Sequence, residues 1–176
     1  MRVAVVDVGS NTARVLVADV AAGGIRVVAE RRARLGLGAE IARTGTLSRK
    51  TVHTVARLCR EYANCVRLLG VERAETIVTA PGRQGRAPDA LVAALQNATQ
   101  LPVRVLTAEE EGRLSFHGAV SRMDGWPRGR LGVVDVGGGS TEIVVGTALE
   151  ADWVRSVDLG SIRLTRGGAS GDFEQR

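Results

Sequence analysis

The chain has 176 residues, 44% of them apolar and 24% charged, which is enough to bury a core in one domain or one and a half. Its formal net charge is +5, and of the 24 basic residues only Lys50 is not an arginine, an excess that suits planar, bidentate partners such as phosphate or a solvated arginine-rich surface. Aromatic residues are only 3%, and neither a zinc finger nor a basic zipper is present, so nucleic acid is not an expected partner. No apolar run reaches the length of a membrane span, and no basic start with an apolar stretch marks a signal peptide, so no membrane partner is expected.

Residues 2–7, 13–20 and 25–34 read as three strands, joined by the turn Gly9-Ser10-Asn11-Thr12 and by Ala21-Ala22-Gly23-Gly24. A glycine-rich loop follows, Leu35-Gly36-Leu37-Gly38. The strongest helix is capped by Ser48 and closed by Gly70, with Val52, Val55, Ala56, Cys59, Tyr62, Ala63, Val66 and Leu69 recurring along one face. Its two cysteines, Cys59 and Cys65, point to different faces and form no metal-ligand spacing; free thiols fit a reducing cytoplasm. Thr76–Thr79 reads as a short strand entering the turn Pro81-Gly82-Arg83-Gln84-Gly85, then come a helix over 89–99 and a strand over 103–106.

Thr107 and Glu110 form a capping box that opens a third helix. Three glutamates stand at its start. Glu110 serves the cap and Glu109 the macrodipole, which leaves Glu111 over, on the face of Leu114 and Gly118, read as the inward side. A carboxylate facing bound phosphate has its pKa raised by that charge and suits a general base. Residues 123–129, with Gly125 and Pro127, mark a boundary, and strands follow near 131–135, 141–146 and 152–158. These strands are apolar on both faces and need cover on both. After Leu164 the sequence holds only a polar, glycine-rich tail, so the functional unit is expected to extend beyond this chain, or the bare sheet to be covered by self-association.

One repeat organises these elements. Arg2, Val5, Val6, Asp7, Val8 and Gly9 recur in register as Arg130, Val133, Val134, Asp135, Val136 and Gly137. Each copy is strand, tight turn and returning strand, so two hairpins are expected to present equivalent loops. Gly137, Gly138 and Gly139 let backbone N–H groups converge on an oxyanion. Ser10, Asn11, Thr12, Ser140 and Thr141 add hydroxyl and amide partners, Arg14 and Arg83 add cationic ones, and Asp7, Asp135 and Glu142 are carboxylates suited to Mg2+.

The runs DVGSNTARVLV (Asp7–Val17), VTAPGRQ (with Arg83), EEEGRLSFHGA (Glu109–Ala119), DVGGGSTEIV (Asp135–Val144) and LGSIRLT (Leu159–Thr165) together resemble the exopolyphosphatase/guanosine pentaphosphate phosphohydrolase (Ppx/GppA) family, a branch of the acetate kinase–sugar kinase–Hsp70–actin superfamily. The resemblance implies a ribonuclease H-like (actin-like ATPase) α/β fold, a mixed sheet with flanking helices. One subdomain, 1–125, would be complete, and residues 126–176 would begin a second. It also implies hydrolysis of a terminal phosphoanhydride bond in inorganic polyphosphate or guanosine pentaphosphate. Glu111 would be the catalytic glutamate, Asp135 and Glu142 metal-site carboxylates, and the two turns, with Gly9 among their glycines, phosphate sites. A homodimer and a cytoplasmic location complete these expectations. A non-catalytic polyphosphate- or alarmone-binding module, and a phosphotransferase, stand as alternatives; no P-loop motif is present to favour the last.

Overall fold

The computed structural model describes residues 1–22, 24–123, 125 and 128–166. The glycine-rich tail over 167–172 lies outside the described residues, as do Asp124, Trp126 and Pro127 of the expected boundary segment. The chain packs as two compact units, Met1–Val105 and Leu106–Arg176.

In the first unit, β1 (Arg2–Val8), β2 (Thr12–Ala21) and β3 (Gly24–Arg34) form an antiparallel meander. β4 (Arg73–Val78) joins β1 in parallel, and β5 (Val103–Val105) joins β4, giving the order β3-β2-β1-β4-β5. This is the mixed sheet expected of a ribonuclease H-like fold. Alternation decides its faces. Ala4, Val6, Val8, Ala13, Val15 and Val17 are all buried and form one core with Val55, Cys59, Tyr62 and Val66 of α2 (Arg49–Leu68) and Leu91 and Leu95 of α4 (Pro88–Thr99). Each such valine or leucine, buried from water, stabilises by about 1.5–3 kcal/mol before conformational entropy is subtracted. The Ser48 hydroxyl accepts from the Thr51 N–H at 3.2 Å and caps α2, a contact worth about 1 kcal/mol. Gly70, at φ 64°, takes the left-handed conformation just past its end.

Two short helices depart from the sequence reading. α1 (Leu37–Thr44) stands where only a glycine-rich loop was expected. Its buried residues Leu37 and Ile41 lie one turn apart, too few to show a period, and Gly36 and Gly45 flank it in left-handed geometry. α3 (Ala80–Gln84) replaces the expected turn over Pro81–Gly85. Proline fits the first turn of a helix, where its missing N–H costs nothing. An added Cβ at Gly82 would come 2.8 Å from a Val105 methyl, so the glycine lets this turn of helix lie against β5.

In the second unit, α5 (Ala108–Val120) lies on the antiparallel sheet β6 (Leu131–Val136), β7 (Thr141–Gly146) and β8 (Ala151–Val157), followed by α6 (Ser161–Arg166). The capping box forms as expected: Glu110 N–H donates to Thr107 Oγ1 at 3.1 Å, and Thr107 N–H donates to Glu110 Oε2 at 2.8 Å. By packing, α5 goes with β6–β8, whereas the chain-order division at 125/126 assigned it to the first subdomain. Phe116 and Val120 of α5 meet Val144 and Ala151 in a small core. The other sheet face carries Val134, Val136, Trp153 and Val157, exposed by 62, 59, 49 and 42%. The strands are thus apolar on both faces, and among the described residues only one face is covered.

No helix among the described residues is long and apolar enough to cross a membrane. Both cysteines are free, Cys59 buried and Cys65 half-buried. Burial pushes the Cys59 thiol up to about 12, so it stays protonated and unreactive at neutral pH. Treatment of the native chain with iodoacetamide, read by mass spectrometry, is expected to alkylate Cys65 first and to reach Cys59 only in denaturant.

Candidate functional site

The first turn is built by β1 running straight into β2. Gly9 N–H donates to the Thr12 carbonyl at 2.9 Å and closes the loop. Its outer carbonyls are held by the segment after β3: Leu35 and Gly36 N–H donate to Asn11 O at 2.8 and 3.2 Å, and Gly38 N–H to Ser10 O at 2.8 Å. The second turn repeats the construction. Gly137 N–H donates to Ser140 O at 3.0 Å, while Ser161 and Ile162 N–H donate to the carbonyls of Gly137 and Gly138 at 2.9 and 3.1 Å. In both turns the carbonyls are turned into the protein and satisfied there, the arrangement in which a backbone concavity can present N–H groups to an anion.

Ser10 is 5% exposed, and its Oγ is buried with no hydrogen-bond partner. A buried hydroxyl without a partner costs about 1–3 kcal/mol, which an accepted or donated bond from a ligand would recover. Asn11 and Thr12 follow it on the turn. Asp7 is the last residue but one of β1, opposite Arg14 in register. Arg14 is held by Glu30 through Nε at 2.8 Å and again through Nη2, so its guanidinium is engaged within the sheet rather than projecting at the turn. Arg83 stands half-buried on α3, which follows β4; since Val8 and Val78 are parallel partners, α3 starts at the sheet end that carries the first turn.

In the second unit Asp135 and Glu142 are direct cross-strand partners, with Ser156 next in the same row. Glu142 is 1% exposed and accepts from Ser156 Oγ at 2.8 Å. Asp135 Oδ2 accepts from Ser115 Oγ of α5. Two like charges directly opposite on a sheet destabilise it unless a proton or a cation lies between them. Mg2+ is commonly held by one or two carboxylates and completed by water and phosphate, so this pair suits it without a third protein carboxylate. Among the described residues, no three His, Cys, Asp or Glu side chains gather as a metal group, and Asp7 belongs to the first unit. Of the remaining turn residues, Ser140 is buried, and Thr141 Oγ1 donates to Leu159 O at 2.6 Å, a bond that ties β7 to the segment before α6. Gly138 and Gly139 lie against Gly160, where an added Cβ would come 2.5 Å from Gly138 C and O and 2.6 Å from Gly139 N.

Glu111 is half-buried on α5, with Oε2 inaccessible to solvent. The inward stripe of α5 is Gly112, Phe116 and Val120, whereas Leu114 is 54% exposed and Gly118 meets nothing within 4 Å; the face of Leu114 and Gly118 is therefore not the inward side. What relates Glu111 to the site is its other helical neighbour, Ser115, four residues on, which binds Asp135. Arg113 donates to Glu109 and to Ala151 O.

The sequence reading did not single out Ser115, Ser156 or Gly112. The spacing of Ser115 from Glu111 was the one available signal; Ser156 and Gly112 require the strand register and the helix–sheet distance. A Cβ at Gly112 would lie 2.7 Å from Val154 Cγ1 and 3.2 Å from Val144 Cγ2, both branched and packed. Gly112→Ala is expected to destabilise the chain by about 1–3 kcal/mol through overpacking. Gly118→Ala meets open space and is expected to stabilise by up to about 1 kcal/mol through helix propensity. Urea denaturation of both variants, followed by circular dichroism, checks the opposite signs.

The sequence pattern of the Ppx/GppA phosphatase family matches residues 16–175. Exopolyphosphatase 1 of Mycobacterium tuberculosis (strain ATCC 25618 / H37Rv) is 31% identical over 167 residues, 94% of this chain and 48% of that protein. The crystal structure of the Aquifex aeolicus Ppx/GppA family member superposes with a TM-score of 0.82 at 30% identity, covering 94% of this chain and 54% of that one. An exopolyphosphatase from Cytophaga hutchinsonii ATCC 33406 shares the fold, with a TM-score of 0.87 at 22% identity over 98% of this chain and 55% of that one. The chain spans about half the length of the curated relatives it matches.

Proposed function

The chain belongs to the Ppx/GppA phosphatase family, and from that premise we propose that it takes part in hydrolysis of terminal phosphoanhydride bonds of inorganic polyphosphate, and of guanosine pentaphosphate, in the cytoplasm. The observation that carries this reading is the twinned turn. Two strand–turn–strand hairpins close with the same backbone bond and hand their carbonyls to neighbouring amides, and the first holds a buried serine hydroxyl without a partner.

In this reading Ser10, Asn11 and Thr12 hold one phosphate, and Gly137, Gly138, Gly139 and Ser140 hold another. Glu111 takes the proton from the attacking water. Phosphoryl transfer asks little covalent chemistry of the protein beyond positioning and charge neutralisation, so one base and two anion-binding turns suffice for its part. Asp135 and Glu142 of the second unit would hold Mg2+, which when bound neutralises charge on the transferring phosphate. Ser115 and Ser156 fix the orientation of the two carboxylates of the second unit. The free thiols of Cys59 and Cys65 fit a reducing compartment. The bare apolar face of β6–β8 suits a second copy of the chain, and light-scattering mass that rises with protein concentration is the expected sign; a monomer at all concentrations would refute it.

The test is phosphate release from long-chain polyphosphate, with and without ADP. Free phosphate supports the hydrolase. ADP-dependent ATP formation would make the protein a phosphotransferase, and binding without turnover a sensor module. Glu111→Gln is expected to lower turnover on the order of a hundredfold or more while binding survives. Glu110→Gln, which keeps the capping box, should lose almost nothing. Asp135→Asn and Glu142→Gln are each expected to raise the Mg2+ concentration needed for half-maximal turnover; unchanged Mg2+ dependence in both would remove them from the metal site.

A further inference from the structure

The edge strand β3 carries arginines whose placement the proposed chemistry leaves unused. On β2, Ala13, Val15 and Val17 are buried in the core, so Thr12, Arg14 and Leu16 occupy the opposite face. The register pairs Arg14 with Arg32 and Thr12 with Arg34, which puts both β3 arginines on that same face. Asp7, Arg14 and Arg32 therefore form one row across three strands, and Thr12 and Arg34 form the next row, beside the first turn.

The charges in these rows are not equivalent. Arg14 is neutralised by Glu30. Arg32 and Arg34 are exposed, and their guanidinium groups make no hydrogen bond or ion pair among the described residues. Arg34 also directly precedes Leu35, whose N–H is fastened to Asn11 of the turn. The two uncompensated guanidinium groups thus follow the phosphate turn along the outermost strand, which has β2 as its single sheet neighbour.

We propose that Arg32 and Arg34 form an anion track along β3 that holds phosphates of a linear polyphosphate chain beyond those seated at Gly9–Thr12. Guanidinium groups make bidentate, charge-assisted bonds to phosphate, and a linear polyanion bound by several of them releases its condensed counterions. Charged residues on an edge strand also discourage strand-to-strand aggregation, a role that any charge would fill and that has no bearing on phosphate. The track rests on the phosphate reading of the first turn, and the experiment separates the two.

Binding of long-chain polyphosphate and of pyrophosphate to the 176-residue chain is measured by titration calorimetry over a series of NaCl concentrations. Arg32→Ala/Arg34→Ala is expected to weaken long-chain binding roughly tenfold and to flatten the slope of log affinity against log salt by about two, with pyrophosphate affinity unchanged. Arg26→Ala removes the same kind of charge eight residues along β3, where Arg26 is paired to Asp19, and is expected to leave both ligands unaffected. The Arg32→Lys/Arg34→Lys variant should keep the salt slope while losing part of the affinity, and reports on the track if the alanine pair fails to fold. Long-chain binding in the alanine pair equal to wild type, an equal loss in Arg26→Ala, or an equal loss for pyrophosphate would each overturn the track while the turn survives as a phosphate site. Failure of the wild-type chain to bind either ligand would overturn the phosphate reading itself.

Discussion

The second unit depends on one close approach, that of α5 to the sheet at Gly112. A side chain there would strike Val154 and Val144 and brush Glu142 Cβ at 3.5 Å. Because the helix can settle this low, Ser115 on the next turn reaches Asp135, and Phe116 packs into the small core with Val144 and Ala151. Glu111 is then carried by a helix whose depth and rotation are set by packing rather than by its own contacts. The capping box fixes where that helix starts, and so fixes which glutamate is committed to the backbone and which is available for chemistry.

The two turns show how backbone polarity can be made directional without a helix. A tight turn exposes both donors and acceptors, and an anion is attracted only if the acceptors are occupied elsewhere. In the first turn the glycine-rich segment after β3 supplies the donors that occupy them, and in the second the segment entering α6 does so. The glycines of Leu35–Gly38 and Gly160 are therefore parts of the turns, although they lie about two dozen residues away in sequence. Gly160 in particular sits so near Gly138 and Gly139 that no side chain fits between them.

Much of this was legible from the residues alone. Long periodic segments such as β1–β3 and α2 carry their own signal, since alternation and helical spacing persist over several repeats. The duplicated Asp-x-Gly hairpin and the capping box are local chemistry and could be read directly. What could not be read was whatever depends on a neighbour distant in sequence. α1 has only Leu37 and Ile41 to announce it, and the inward side of α5 was misjudged because Leu114 looks like a core residue until Gly112 is seen to make the contact. Arg14 looked available for phosphate because its partner Glu30 lies on the next strand, sixteen residues away. Ser156 is invisible as a site residue until the register places it beside Glu142.

Alternation along β1 and β7 ties the site to the core more tightly than any single contact. Asp7 lies between Val6 and Val8, both fully buried, and Glu142 stands one pleat from Val144 on a strand whose other side carries Ile143 and Val145. Deleting or inserting one residue within either strand would turn every later side chain to the opposite face, driving Asp7 inward as its flanking valines turn out in β1 and sending Glu142 outward together with Val144 in β7. Length changes in the evolution of these hairpins must therefore arise in pairs of residues or fall in the connections, as at Ala21–Gly24. A frame of period two, kept by the apolar residues, preserves the aim of the polar ones between them.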